Sequence, residues 1–214
     1  TFCLKMPTEV VNWASLEISR VGFTVAPVVI SPSRVFELAC LRRGIDFSAV
    51  CAKLIQDLQT QGLRVALLAH SKAAGIAKND DPAVCTRILA LLPADQQPPL
   101  LIADDPLRAR ALIGRAAIFV GSRYHALVSA YAQAVPCLAL SWNDKYTDLA
   151  RLFGCTEQVI PVDKIDANLL LQRVLEMHAQ ASSAAENLRL FLPGVRAGAE
   201  ENFTRAKSAL KNLR

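Results

Sequence analysis

The chain has 214 residues, 52% of them hydrophobic and 20% charged, with 24 Lys and Arg against 19 Asp and Glu for a formal net charge of +5. That length can bury a proper core, and no uninterrupted apolar run approaches the roughly 18 residues of a membrane span, so a soluble protein without a transmembrane segment is expected. The basic residues suit anionic ligands, but they are scattered and not interleaved with aromatic residues, which argues against nucleic acid as a partner.

Taken in chain order, residues 1–25 begin at Thr1 and include "TFCLKMPTEVVNWASLEISR", the pattern of neither a signal peptide nor a complete folding unit. They are expected to be a remnant or linker from a preceding N-terminal lobe. From residue 26 to 162 short β-rich runs alternate with helical patterns, which predicts βαβ units and a parallel sheet. The candidate strands are residues 26–30, 63–69, 100–103, 117–120, 137–140 and 158–162. Between the first two, Phe47, Val50, Cys51, Leu54, Ile55 and Leu58 follow the i, i+3, i+4 spacing of one buried helix face, with Gly62 as the stop. Asp81-Pro82 predicts a helix through Leu92 and Asp105-Pro106 another through Arg115, each with an acidic cap before a proline at the first helical position. A helical run over residues 126–134 follows the fourth strand. The next helix places Tyr146, Leu149, Ala150 and Phe153 on one face and ends at Gly154. From about Asp166 the pattern predicts a long amphipathic helix, interrupted at Pro193-Gly194 and followed by another from about Ala199. The predicted fold is α/β: a Rossmann-like doubly wound parallel sheet of about six strands with flanking helices. Residues 26–165 form its core, and C-terminal helices over residues 166–214 pack back to complete the same domain.

Open α/β sheets bind ligands outside the carboxyl ends of their strands. Those ends carry Ser31-Pro32-Ser33-Arg34, His70-Ser71-Lys72, Asp104-Asp105, Gly121-Ser122-Arg123-Tyr124-His125 and Ser141-Trp142-Asn143-Asp144-Lys145. Two of the three histidines and several cations thus share one rim, while His178 lies in a helix beyond it. Arg123 and His125 fall in the first turn of a helix, where a cation costs from a few tenths to about 1 kcal/mol against the positive helix end. An anionic ligand would reverse that cost. Gly121 and Ser122 allow a tight turn and a cap, so that N–H groups and the Arg123 guanidinium can grip one oxyanion. The alternative is that Arg123 pairs with Asp104 or Asp105 and His125 with a carbonyl. Lys145 repeats the anomaly beside its expected caps Asn143 and Asp144, against a reading as a solvated lysine paired with Asp144 or Asp148. Arg34 and His70 are further candidates, against readings as a loop arginine and a hydrogen-bonded rim histidine. Asp104-Asp105 serves mainly as a helix cap, and Trp142 either stacks on a ring or seals the sheet edge.

Several chemistries lack their signatures. No GxG pair and no GxxxxGK[ST] loop occurs, which argues against nicotinamide and ATP chemistry. The six cysteines, Cys3, Cys40, Cys51, Cys85, Cys137 and Cys155, form no CxxC pair, and His and Cys never cluster at metal spacing. Neither a metal nor disulfides are expected, and a reducing cytosol is the simpler compartment.

The segment "AAIFVGSRYHALVSAYAQAVPCLALSWNDKYTDLARLFG", residues 116–154, resembles the polysaccharide pyruvyl transferase family. That family's hallmark is a strand, Ser-Arg-x-His-Ala, a helix, Gly-Val-Pro, a second strand and a Lys shortly before the next helix. Ser122, Arg123, His125, Ala126, Val135-Pro136 and Lys145 match, and Ala134 stands where the glycine is usual. The resemblance implies the C-terminal, donor-binding lobe of a two-lobed GT-B-like protein, with an N-terminal lobe in the full-length chain. It implies an enzyme that moves pyruvate from phosphoenolpyruvate onto two saccharide hydroxyls as a ketal, in exopolysaccharide or cell-surface glycan biosynthesis. Phosphoenolpyruvate is then a co-substrate and no cofactor is needed; the acceptor is a saccharide, lipid-linked or free, and the location is cytoplasmic, at most peripheral to the inner face of the membrane. Arg123 and His125 are the catalytic pair by this resemblance, His125 as phosphate ligand or general acid/base. Ser122, Arg123, His125 and Lys145, with Arg34, are the expected substrate-binding residues. Two rival readings stand beside it: a nucleotide-sugar-dependent glycosyltransferase or epimerase lobe in which Arg123 and Lys145 hold a diphosphate, and a non-catalytic domain binding an anion or acidic peptide.

Overall fold

Six strands, β1 (Val28–Ser31), β2 (Val65–Ala69), β3 (Leu100–Ile102), β4 (Ile118–Gly121), β5 (Cys137–Ser141) and β6 (Val159–Pro161), form one sheet in the computed structural model, which describes residues 2–72, 80–103 and 105–211. All pair in parallel, in the order β3-β2-β1-β4-β5-β6. Because both faces are covered, the strands are apolar throughout, and alternate residues enter opposite cores. Val28, Ile30, Leu67, Ile118, Val120 and Leu138 face one core, which is closed by α2 (Arg34–Leu41), α3 (Phe47–Thr60), α4 (Asp81–Ala90) and α8 (Ala167–Ala179). Val29, Ala66, Leu68, Phe119 and Ala139 face the other, under α1 (Thr8–Arg20), α5 (Pro106–Ile113), α6 (Tyr124–Tyr131), α7 (Lys145–Arg151) and α9 (Ala181–Lys211). The expected α/β architecture is the observed one.

The predicted face of α3 is buried as the spacing requires: Leu54, Ile55 and Leu58 are each 0% exposed, a burial worth about 1.5–3 kcal/mol per side chain. Several helix endings share one backbone pattern. After α3, Gly62 turns left-handed at φ 78° while Leu63 N–H bonds back to the Leu58 carbonyl; Gly154 closes α7 the same way at φ 63°. Where α6 ends, Ala134 takes that role at φ 55°, with Val135 N–H bonded to the Ala130 carbonyl at 3.0 Å. The side chain there sits in a backbone conformation that favours glycine.

Four elements depart from expectation. Residues 8–20 form α1, which packs Ala14 and Ile18 into the second core. Ser33 starts α2 by accepting the Phe36 N–H at 3.3 Å, so residues 34–41, for which no element was predicted, are helical. The cap of α4 is Asp80, which accepts from Ala83 N–H at 3.1 Å, and Asp81 is the first helical residue. Pro193 does not interrupt the C-terminal helix: α9 runs through it, because Pro193 lies on the exposed side, where water can serve the carbonyl it leaves unbonded, and Leu188 and Leu192 stay buried. The break falls at Gln180, between α8 and α9.

Among the described residues no helix is long and apolar enough to cross a membrane. All six cysteines are free thiols, and burial pushes Cys40 and Cys85 up to about 12. Both are therefore protonated space-fillers and not nucleophiles.

Candidate functional site

The strand order reverses between β1 and β4, and Ser31 lies level with Gly121 in the register. The loops leaving these strands must part to opposite faces of the sheet, which opens a crevice at the carboxyl edge. The crevice is a hollow of about 330 Å³ lined by residues from four strand ends: His70 and Ser71 after β2, Ser122 to His125 after β4, Trp142, Lys145 and Tyr146 after β5, and Val35 from the helix after β1. A larger hollow of about 460 Å³ lies at the amino end of β5, against α8 and α9, and contains none of the rim residues.

Small buried hydroxyls hold the two central strand ends together. Ser122 Oγ donates to Ser33 Oγ at 2.8 Å, Ser122 N–H reaches the Ser31 carbonyl at 3.3 Å, and Ser31 Oγ donates to the Leu68 carbonyl at 3.0 Å. Ser122 is 1% exposed. It does not cap α6 as expected; the cap position is Arg123, in extended backbone, and no side chain caps the helix. Gly121 gives room for this turn, since a Cβ there would come 2.3 Å from the buried Phe119 ring.

Arg123 is fixed by a carboxylate that sequence reasoning did not assign to it. Its Nε and Nη2 donate side-on to the two oxygens of Asp81, at 3.0 and 2.7 Å. The same oxygens accept the backbone N–H groups of Arg34 and Ser71, both at 3.0 Å, and Asp81 is 0% exposed. Of the partners expected for Arg123, Asp105 is engaged in capping α5, and Asp104 lies outside the described residues. The available signal was the doubled acid Asp80-Asp81 before Pro82: one carboxylate suffices for a cap, which leaves the other for a partner elsewhere in the fold.

Lys145 begins α7, and among the described residues no carboxylate lies within ion-pair distance of it. Neither Asn143 nor Asp144 caps that helix through its side chain. The Lys145 ammonium instead stands over three rings, 5.1 Å from the centre of Tyr124, 5.4 Å from Trp142 and 5.6 Å from Tyr146, an attraction of about 0.5–1 kcal/mol per exposed pair. The rings are locked in series: Trp142 Nε1–H donates to Tyr146 Oη at 2.9 Å, and Tyr146 Oη–H donates to the Ser122 carbonyl at 2.9 Å. A cation with no acidic partner among the described residues, held by π faces in the wall of a hollow, keeps its charge available to an anion.

The two histidines differ. His125 is exposed, and its ring meets Tyr124 edge-on at 5.8 Å. His70 is mostly buried, and that burial pulls its imidazole down to about 4, against the opposing pull of Asp81, so it is neutral at physiological pH. Arg34 is not brought into the group. Its guanidinium turns to Glu37, which also receives both Nε and Nη2 of Arg87 at 3.0 and 2.6 Å, and only its backbone N–H serves the rim, through Asp81. The hollow therefore gathers Ser122, Arg123, His125 and Lys145 and leaves the Arg34 side chain out.

A pocket of this kind offers an arginine of fixed plane, a lysine, an exposed imidazole and an uncapped helix start, all suited to a small molecule with more than one negative charge. Among the described residues no group of three or more His, Cys, Asp or Glu side chains is placed to hold a metal ion. In comparison with known proteins, residues 35–144 match the family model described as polysaccharide pyruvyl transferase. The match takes in His70, Asp81 and the Ser122–His125 turn and stops one residue short of Lys145. No curated protein matches the chain.

Proposed function

This chain belongs to the polysaccharide pyruvyl transferase family, and on that premise we propose that its rim hollow binds phosphoenolpyruvate and that the protein transfers the pyruvyl group to a saccharide as a ketal. The observation that carries the reading is the convergence of Arg123, Lys145 and His125 on one hollow of about 330 Å³ at the switch point of the sheet. Phosphoenolpyruvate carries a phosphate and a carboxylate on three carbons, and the hollow supplies two cations from adjacent strand ends.

In this reaction a proton is added to the enol methylene, and the carbon bearing the phosphate gains oxocarbenium character. A sugar hydroxyl attacks that carbon, the C–O bond to phosphate breaks, and a second hydroxyl closes the ring. Of the two hydroxyl protons released, one balances the new methyl group and the other leaves with inorganic phosphate. Arg123 and Lys145 hold the donor's charges and steady the departing phosphate. His125, exposed at the hollow, is the proton carrier or a phosphate ligand, and the neutral His70 imidazole stands beside it as a hydrogen-bonding group. The acceptor, lipid-linked or free, is presented by a further lobe, and the location is cytoplasmic, at most peripheral to the inner face of the membrane.

Thermal unfolding with added ligands tests the proposal. A ligand present at 100 times its Kd stabilises by about 2.7 kcal/mol, so phosphoenolpyruvate should raise Tm by several degrees, UDP- and GDP-sugars should not, and Arg123→Ala should abolish the shift. A response to nucleotide sugars alone would reject the donor assignment.

A further inference from the structure

We infer that Asp81 is a positioning residue of the donor site: its carboxylate clamps the Arg123 guanidinium in the wall of the hollow and joins it to the loops after β1 and β2. The inference rests on the donor-site reading above but stands on separate observations. Asp80 alone caps α4, so the helix start does not require a second acid. Burying an ionised carboxylate costs several kcal/mol unless every lone pair is satisfied, yet Asp81 is 0% exposed. Each of its oxygens takes one backbone N–H and one guanidinium N–H: Oδ1 from Arg34 at 3.0 Å and Arg123 Nη2 at 2.7 Å, Oδ2 from Ser71 and Arg123 Nε, both at 3.0 Å. Three strand-end loops and one helix start thus converge on a single side chain.

The geometry is what an orienting device needs. A side-on pair through Nε and Nη2 sets the plane of the guanidinium as well as its position, which a lysine's single ammonium cannot reproduce. Rotamer freedom is removed before any ligand arrives, so a bound anion does not have to order the arginine. Asp81 lines no part of the hollow, so its effect on an anionic donor runs through Arg123.

Two readouts on the full chain test this. The first is the Arg123 Nε–H signal in a ¹⁵N-correlated NMR spectrum, assigned by its disappearance in Arg123→Lys; it should be resolved and slow to exchange in the wild type and merge with the exposed arginines in Asp81→Asn. The second is calorimetric titration with phosphoenolpyruvate across wild type, Asp81→Asn, Arg123→Lys and the double variant. Each single change should weaken binding at least tenfold, and the double variant should be no weaker than the poorer single by more than about threefold, because both remove one device. Losses that multiply in the double variant, or an Nε signal unchanged in Asp81→Asn, would overturn the inference. If Asp81→Asn fails to fold, Arg123→Lys decides, since it keeps the cation and loses the side-on pair: wild-type affinity in that variant refutes positioning. If the wild type shows no affinity for phosphoenolpyruvate, the donor reading falls, while loss or persistence of the Nε signal still decides for or against the clamp.

Discussion

Replacing Tyr146 with Phe deletes one oxygen and leaves the ring in place. Tyr146 is 2% exposed, so the change opens almost no cavity and the cost is one of hydrogen bonding. The Oη accepts from Trp142 Nε1–H and donates to the Ser122 carbonyl, both at 2.9 Å. The two partners are not equally hurt. Trp142 is 39% exposed, and its N–H can turn to water. The Ser122 carbonyl belongs to a residue 1% exposed and, among the described residues, retains only a long contact from Ser33 Oγ at 3.5 Å. A buried acceptor left without a good partner costs about 1–3 kcal/mol; with one weak bond retained and one partner solvated, about 1–2 kcal/mol is expected. Urea unfolding followed by circular dichroism measures it: with a slope of about 2 kcal/mol/M the midpoint falls by about 0.5–1 M at constant m. Lys145 keeps all three ring faces in this variant, so its affinity for an anion should fall far less than in a variant lacking the lysine. A stability change below about 0.5 kcal/mol would mean that the Trp142–Tyr146–Ser122 series does not hold the rim.

Two further outcomes follow from the backbone and the buried imidazole. Ala134→Gly relieves a side chain held at φ 55° and should raise stability by up to about 1 kcal/mol, whereas a loss would show that the left-handed turn is not strained. For His70, burial lowers the folded-state value from 6.5 to about 4, so below pH 6.5 the unfolded chain takes up a proton that the folded chain refuses. Its contribution is therefore lost as pH falls from about 6.5 to 4, by up to about 3 kcal/mol, and is constant above that window. His70→Asn should flatten the decline in urea-derived stability between pH 7 and 4.5, and an unaltered decline would refute the assignment.

The strands could be read from the sequence because a parallel sheet covered on both faces leaves unbroken apolar runs, and α3 because its apolar spacing from Phe47 to Leu58 repeats over about three turns. The convergence of Arg123, His125 and Lys145 was legible through topology, since their places at the carboxyl ends of neighbouring strands decide their proximity. What escaped were features settled by tertiary context. Helix α2 begins straight after Ser31-Pro32-Ser33, a run that suggests a turn, and α1 buries only Ala14 and Ile18, too little to mark a periodic face. Pro193 was misplaced because a proline's penalty depends on which side of the helix its lost bond faces. For Asp81 the doubled acid before Pro82 signalled a spare carboxylate, but which of the two is carried inward, and to which partner, is decided by the fold.

The carboxylate that steadies Arg123 comes from 42 residues earlier in the chain. Any graft, shortened fragment or sequence search confined to the stretch from β4 to α7 would thus inherit the reactive-looking arginine without its anchor. Replacing Asp81, far from the signature, would release the plane of that arginine while leaving every letter of the signature intact.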